Sequence, residues 1–402
     1  MKYAIIVVLS GCELFVSVPN GQLASSDAMP DGGGPMMACT ESCASPTPVC
    51  DTSSGSCVEC VVSTDCTSAT APNCDMNVCR GCEHDAECPT SNVCLQDGTC
   101  ADPARVLYAS ATGTAATCTA ADPCPIDTAL NAVSATQDIV HLAAGTYTRS
   151  AMTTVSVPTT VTGEGAILTN SAASFVMWYT MNGSALTLMN LDLELNGNGR
   201  MFGAECTGGG ALTLYKMKVE HGNGIFIQGC ALTVDRSTID DNIDYSFYIQ
   251  DAQVKITNSF ITNNGGMIPS TGGFNLFAGN TGTIDHTTFT ANHASMNSSI
   301  AAVHCVDGAV AFTNSIVFNN TAPEIDAGCT LQHSISGTYA GTNVGNLAAD
   351  PMFMSATDFH IQATSPARML ADPTSMLNID FDGERRPNPT GTASDSGADE
   401  VP

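Results

Sequence analysis

Residues 211–264 read ALTLYKMKVEHGNGIFIQGCALTVDRSTIDDNIDYSFYIQDAQVKITNSFITNN. One unit occurs here three times, opening at Ala211-Leu212-Thr213-Leu214, Ala231-Leu232-Thr233-Val234 and Val254-Lys255-Ile256-Thr257. Working outward, Ala185-Leu186-Thr187-Leu188 precedes these openings, and Gly282-Thr283-Ile284-Asp285 and Val310-Ala311-Phe312-Thr313 follow them. A repeat of about 20 to 29 residues is the mark of a solenoid, in which each unit buries its apolar face only against its neighbours. Every unit holds a second short apolar stretch: Leu191 to Leu195, Met217 to Val219, Ser237 to Ile239, Ser259 to Ile261, Thr287 to Phe289 and Ser315 to Val317. The β-branched, period-two pattern predicts strands stacked in parallel sheets, and leucine-rich-repeat spacing is absent.

Aligning the units places Asn196, Asn242, Asn264, Asn292 and Asn320 at one position; Gly222 followed by Asn223 marks the only departure. Such a column predicts an asparagine ladder, each amide bonding to its neighbours one coil above and below. Six residues earlier the column reads Asn190, Lys216, Arg236, Asn258, His286 and Asn314, and its two cations predict a solvent-facing corner. Cys206 and Cys230 are separated by the same interval as Cys305 and Cys329. With one coil equal to that interval, about 24 residues, each pair stacks about 4.8 Å apart, within disulfide reach.

Ahead of the repeats, residues 106–148 contain a short strand, a loop that a Cys118–Cys124 bridge would close, and a helix. Pro125 stands near the helix start, and Ile126, Ala129, Leu130 and Val133 share one face. This segment resembles the N-terminal cap of right-handed parallel β-helix proteins. At the other end, Ala349-Asp350-Pro351, Asp358-Phe359-His360-Ile361, Ser365-Pro366-Ala367, Asp380 to Pro387 and Asp395-Ser396-Gly397-Ala398-Asp399-Glu400 resemble the ending of choice-of-anchor Q proteins, bacterial surface β-helix proteins with varied anchors. The resemblance covers residues 105–402. It implies an all-β, right-handed parallel β-helix of pectate-lyase-like architecture, and little about chemistry. Ser396 stands where that ending usually has a hydrophobic residue, which predicts looser packing of the final strand. Seven to nine coils are expected.

The chain carries 12 basic against 39 acidic residues, a formal charge of −27, with 43% hydrophobic and 13% charged residues. That balance excludes nucleic acid as a partner, because phosphate binding needs a basic stripe. The opening MKYAIIVVLSGC resembles a bacterial lipoprotein signal, cut before Cys12, which would carry lipid. An ordinary secretory signal cut near Ala24 is the alternative. No later apolar stretch reaches the length of roughly 18 residues that a membrane-spanning helix needs. Residues 39–100 hold twelve of the 19 cysteines, in three rows of four. Modules of about twenty residues need disulfides to fold in place of a core. Cys57-x2-Cys60 and Cys79-x2-Cys82 have the spacing of a four-thiolate zinc site, but export and the intervening cysteines favour disulfides. The modules resemble short disulfide repeats of bacterial surface lipoproteins and, faintly, Dickkopf-type modules. With the cap loop and inter-coil pairs bridged, Cys12 is the cysteine left over.

The expected organisation is a signal at 1–11, a tether at 12–38, a disulfide-rich stalk at 39–100, a cap at 101–150, coils at 151–348 and the C-terminal segment at 349–402. A monomer is expected, anchored by lipid at the bacterial envelope, at the outer membrane or cell surface. The favoured role is non-catalytic adhesion to, or binding of, extracellular glycan or protein. The alternative is a lyase or hydrolase of acidic polysaccharide. For it the best cluster is Asp240, Asp241 and Asp244 with Tyr245, Tyr248, Arg236 and Lys218, where the acids would hold calcium and a cation would act as base. Asp240 with Glu220 would be the hydrolase pair. Acids on a solvated turn are the plainer reading, so no catalytic residue, cofactor or metal ligand is assigned. His221, His286, His293 and His304 are scattered and match no nucleophile or metal motif. Trp178, beside Tyr179, reads as a core aromatic of an early coil, with a sugar-stacking platform as the other reading.

Overall fold

The computed structural model describes residues 39, 42–171, 177–180, 183–195, 203–266, 271–297, 299–307, 309–337 and 344–401. Cys12, the signal, the tether and Asn196 lie outside the described residues. The chain divides into two compact units, ending and beginning at Val61 and Val62. In the first, Val49–Asp51 pairs antiparallel with Ser56–Val58, and Cys39–Cys50 and Cys43–Cys57 are bridged.

The second unit opens with bridges Cys66–Cys79, Cys82–Cys94 and Cys88–Cys100. Cys57, Cys79 and Cys82 are thus oxidised and supply no thiolate for zinc. The last cysteine module lies on the cap. Val93 and Ala101 pack with Val106, Tyr108 and Ile139, and the Tyr108 hydroxyl donates to Ser91 O at 2.8 Å. Buried Asp85 accepts from Cys94 N and stands 3.5 Å from His141 Nε2.

The cap helix runs Ile126–Ala132, with Pro125 at its N-cap and Ile126 and Ala129 buried against the first coils. Cys118 and Cys124 are bridged beside it, Cα atoms 4.6 Å apart. From there the chain winds into a right-handed parallel β-helix of about six turns. Ala204, Ile225, Phe247, Phe274 and Val303 are successive partners on one face, and the chain between one partner and the next lengthens toward the C-terminus. About six turns is fewer than the seven to nine expected.

Each complete coil has three strands, one more than the repeat pattern suggests. In one coil they are Ala231–Asp235, Thr238–Asp240 and Phe247–Gln250. The third strands stack into a seven-stranded parallel sheet. Their inward residues, among them Ile225, Ile227, Phe247, Ile249 and Phe274, join Leu212, Leu232 and Ile256 in one continuous core. Trp178 is fully buried there. Cys206–Cys230 and Cys305–Cys329 bridge neighbouring coils, with Cα separations of 6.2 and 5.1 Å.

Two corners separate the three strands. At the second, Asn242 Nδ2 donates to Asn264 Oδ1 at 2.9 Å, Asn264 to Asn292 at 3.0 Å and Asn292 to Asn320 at 3.1 Å. Gly222 takes the equivalent place, its N–H donating to Asn242 Oδ1. At the first corner a second ladder runs parallel, made of hydroxyls. Ser237 N donates to Ser259 Oγ, Thr287 N to Ser315 Oγ and Ser315 N to Ser334 Oγ.

The first corner also overturns an expectation. Asn190, Lys216, Arg236, Asn258, His286 and Asn314 all have φ between 46° and 55°, so they share a backbone conformation rather than an environment. Arg236, Asn258, His286 and Asn314 are buried, because residues 349–401 fold back across this corner. Arg236 Nε donates to Phe381 O at 2.9 Å, His286 contacts Asp395 O and Ser375 Oγ, and Gly397 N donates to Asn314 O. Lys216 reaches Glu83 O in the cysteine module. Gly397 sits at φ +101°, and a Cβ there would lie 2.6 Å from Ile316 Cδ1, so the close approach requires glycine. Ser396 is fully buried, belongs to no strand, and donates to His333 O at 2.8 Å, so it ties this segment down instead of loosening it.

Candidate functional site

The structure brings together only part of the cluster chosen from the sequence. Asp240 points outward from its strand, where Thr262 Oγ1 and Asn263 Nδ2 donate to it at 2.6 and 2.7 Å. Asp241 is an exposed corner residue, 3.4 Å from His221 Nε2. Asp244 accepts from Asn223 Nδ2 on the approach to the third strand. Arg236 is sealed beneath the C-terminal segment. Lys218 pairs with Glu220 at 2.7 Å on the strand next to Asp240. Asp240 and Glu220, the pair considered for hydrolysis, are thus cross-strand neighbours beside part-exposed Lys218, whereas Arg236 is out of reach of solvent.

Two other surfaces carry chemistry. The first is the outer side of the seven-stranded sheet, where strand alternation sends one residue per coil to solvent. Tyr179, Glu205, Phe226, Tyr248, Asn275 and His304 form this column. Phe226 and Tyr248 are stacked, with ring centroids 4.9 Å apart. Asn275 turns to bond Gly272 and Phe247, and Phe277 fills its place 4.3 Å from the Tyr248 ring. His304 continues the row 5.5 Å from Phe277 and pairs with Asp326. Gln228 and Gln250 stack beside the rings, and burial pushes the Glu205 carboxyl up. The result is a partly exposed apolar strip crossing several coils, edged by amides and acids. Of these residues only Tyr179, Tyr248 and His304 stand out in the sequence. The alternations Ile225-Phe226-Ile227, Phe247-Tyr248-Ile249 and Phe274-Asn275-Leu276 are the signal that could have found the rest.

The second surface is a cleft of about 370 Å³ where residues 357–360 and Phe381 meet Thr238, Asp240, Phe260, Thr262 and Asn263. His360 stands in its wall, held edge-on against Phe260 with centroids 5.4 Å apart. Its Nε2 lies 3.0 Å from Asp382 Oδ2 and its Nδ1 2.5 Å from Asp358 Oδ1. Asp399, largely buried, accepts from Ile361 N at 2.7 Å. The bond to Asp382, helped by Asp358, raises the His360 pKa to about 9, while burial raises Asp399 to about 6. A histidine pKa raised above its unfolded value of about 6.5 stabilises fully below that pH, and the contribution is lost as pH rises through the folded value. The thermal midpoint should therefore fall between about pH 7 and pH 9.5, and His360→Gln should flatten that decline. Equal slopes in both proteins would contradict the assignment.

The comparisons with known proteins agree with this architecture. Residues 202–348 match the family model described as the right handed beta helix region. No curated protein matches the chain. Among solved structures, pectate lyase Pel9A is 15% identical, with 74% of this chain and 96% of that one covered and a TM-score of 0.50. A rhamnogalacturonan lyase is 12% identical over 58% of this chain and 68% of its own, TM-score 0.32. PfbA, a surface adhesin of Streptococcus pneumoniae, is 11% identical over 56% and 76%, TM-score 0.29. The likeness to the Pel9A structure is one of fold, and residues 202–348 lie within a right-handed parallel β-helix domain of the pectate-lyase-like kind.

Proposed function

We propose that this protein is a lipid-anchored bacterial surface protein whose β-helix binds extracellular glycan without cleaving it. The observation that carries the reading is the strip of Phe226, Tyr248 and Phe277 along the seven-stranded sheet. Stacked rings offer the apolar faces of sugar rings a matching surface, and the flanking amides and acids offer hydrogen-bond partners to their hydroxyls. The dispersal of Asp240, Asp241 and Asp244 supports the non-catalytic part, because no calcium cage forms from them. The net charge of −27 favours neutral or amino-sugar polymers over polyanions.

Calorimetric titration of the full chain with a panel of soluble polysaccharides tests the reading. At least one neutral or amino-sugar polymer should bind, and Tyr248→Ala should weaken it roughly tenfold. Binding that Tyr248→Ala leaves untouched would remove the strip from the account. The anchor is tested separately by mass spectrometry of the mature N-terminus, which should show lipid on Cys12; a cut near Ala24 would make the protein secreted.

A further inference from the structure

Beside the C-terminal cleft, whose wall His360 forms in part, the segment that covers the solenoid corner brings His360 together with Asp382 and Asp399. One donor atom from each lies within 4.8 Å of the other two. We propose that these three side chains form a zinc site, with Asp358 positioning the imidazole and a fourth coordination position left for solvent.

Several observations support it. Zinc bonds of about 2.0–2.2 Å in a tetrahedron place donors about 3.3 Å apart, and His360 Nε2 and Asp382 Oδ2 already stand 3.0 Å apart. Two carboxylates match the charge of the dication, and zinc would take the place of the proton on His360 Nε2. The imidazole is oriented in advance: Asp358 accepts from Nδ1, the usual outer-shell arrangement for a ligating histidine, and Nε2 faces Asp382, the second ligand. Phe260 and Phe381 hold the ring from the side, at 5.4 and 6.3 Å between centroids. Asp399 is 8% exposed and fixed through Ile361 N, so a second ligand is rigid as well. The cleft of about 370 Å³ adjoins the site at His360. Among the described residues, the other groups of candidate ligands are cysteines, and these are disulfide-bonded.

The test is calorimetric titration of the full chain with zinc chloride at neutral pH, with X-ray absorption at the zinc edge. One equivalent should bind, reversibly to chelator, with only nitrogen and oxygen in the first shell. Asp382→Asn, whose side chain is about half exposed, should weaken binding by about a hundredfold or more, and Asp358→Asn by about ten- to a hundredfold. Metal-free thermal midpoints check that each variant is folded, and the absorption spectrum of the unaltered chain stands whichever variant fails. Absence of zinc binding, sulfur in the first shell, binding of calcium alone, or unchanged affinity in folded variants would each overturn the proposal.

Discussion

Arg386→Ala should lower the unfolding free energy by about 3–5 kcal/mol and free residues 349–401 from the solenoid corner. The guanidinium is completely buried, with Nη1 donating to Glu400 at 3.0 Å and to Asp395 O at 2.9 Å, and Nη2 to Gly397 O at 2.9 Å. Asp380 and Asp395 add to the field around it. Truncation strands the Glu400 carboxylate in a dry interior, where burial already pushes its pKa up. The loss should therefore come mainly from the unpaired charge, and Arg386→Met combined with Glu400→Gln should recover much of it. Urea unfolding gives the free energy, and limited proteolysis shows whether the C-terminal segment is released. A double variant as unstable as Arg386→Ala would contradict this explanation.

The second large effect is expected within the asparagine ladder. Asn264 is fully buried; its Oδ1 accepts from the Asn242 amide and backbone, and its Nδ2 donates to Ile239 O, Thr262 O and Asn292 Oδ1. Asn264→Ala leaves several of these groups without partners in a place water does not reach. At about 1–3 kcal/mol for each orphaned group, partly relieved by relaxation, a loss of roughly 3–5 kcal/mol follows. Asn320, which lies nearer the solenoid end and is only partly buried, should cost clearly less on the same substitution. Equal losses at both positions in thermal or urea unfolding would argue against burial as the cause.

How far the sequence discloses this structure depends on which way a residue faces. The stacking of Leu212, Leu232 and Val254 is legible because strand alternation and coil period repeat inward, where the core allows only apolar side chains. The Asn column is legible for a related reason: an inward amide is tolerated only if its neighbours satisfy it. The hydroxyl ladder at Ser237, Ser259 and Ser315 escapes notice because serine is equally common at exposed turns. The third strands are missed because the loops before them vary in length, so the spacing between stacked partners differs from coil to coil. Arg236 and His286 read as solvent-facing because their polarity says nothing of a segment far along the chain that lies over them. The His360 cluster hides for the same reason, since its residues meet only when that segment folds back on itself.

The central claim is that the β-helix binds glycan without chemistry. Its most direct test is incubation of the full-length chain with a panel of uronate and neutral polysaccharides, with and without calcium, monitoring both unsaturated uronate ends and new reducing ends. The account predicts no product under any condition, together with retention on at least one immobilised neutral or amino-sugar polymer that Tyr248→Ala weakens. Accumulation of unsaturated or reducing ends with the unaltered chain would contradict it.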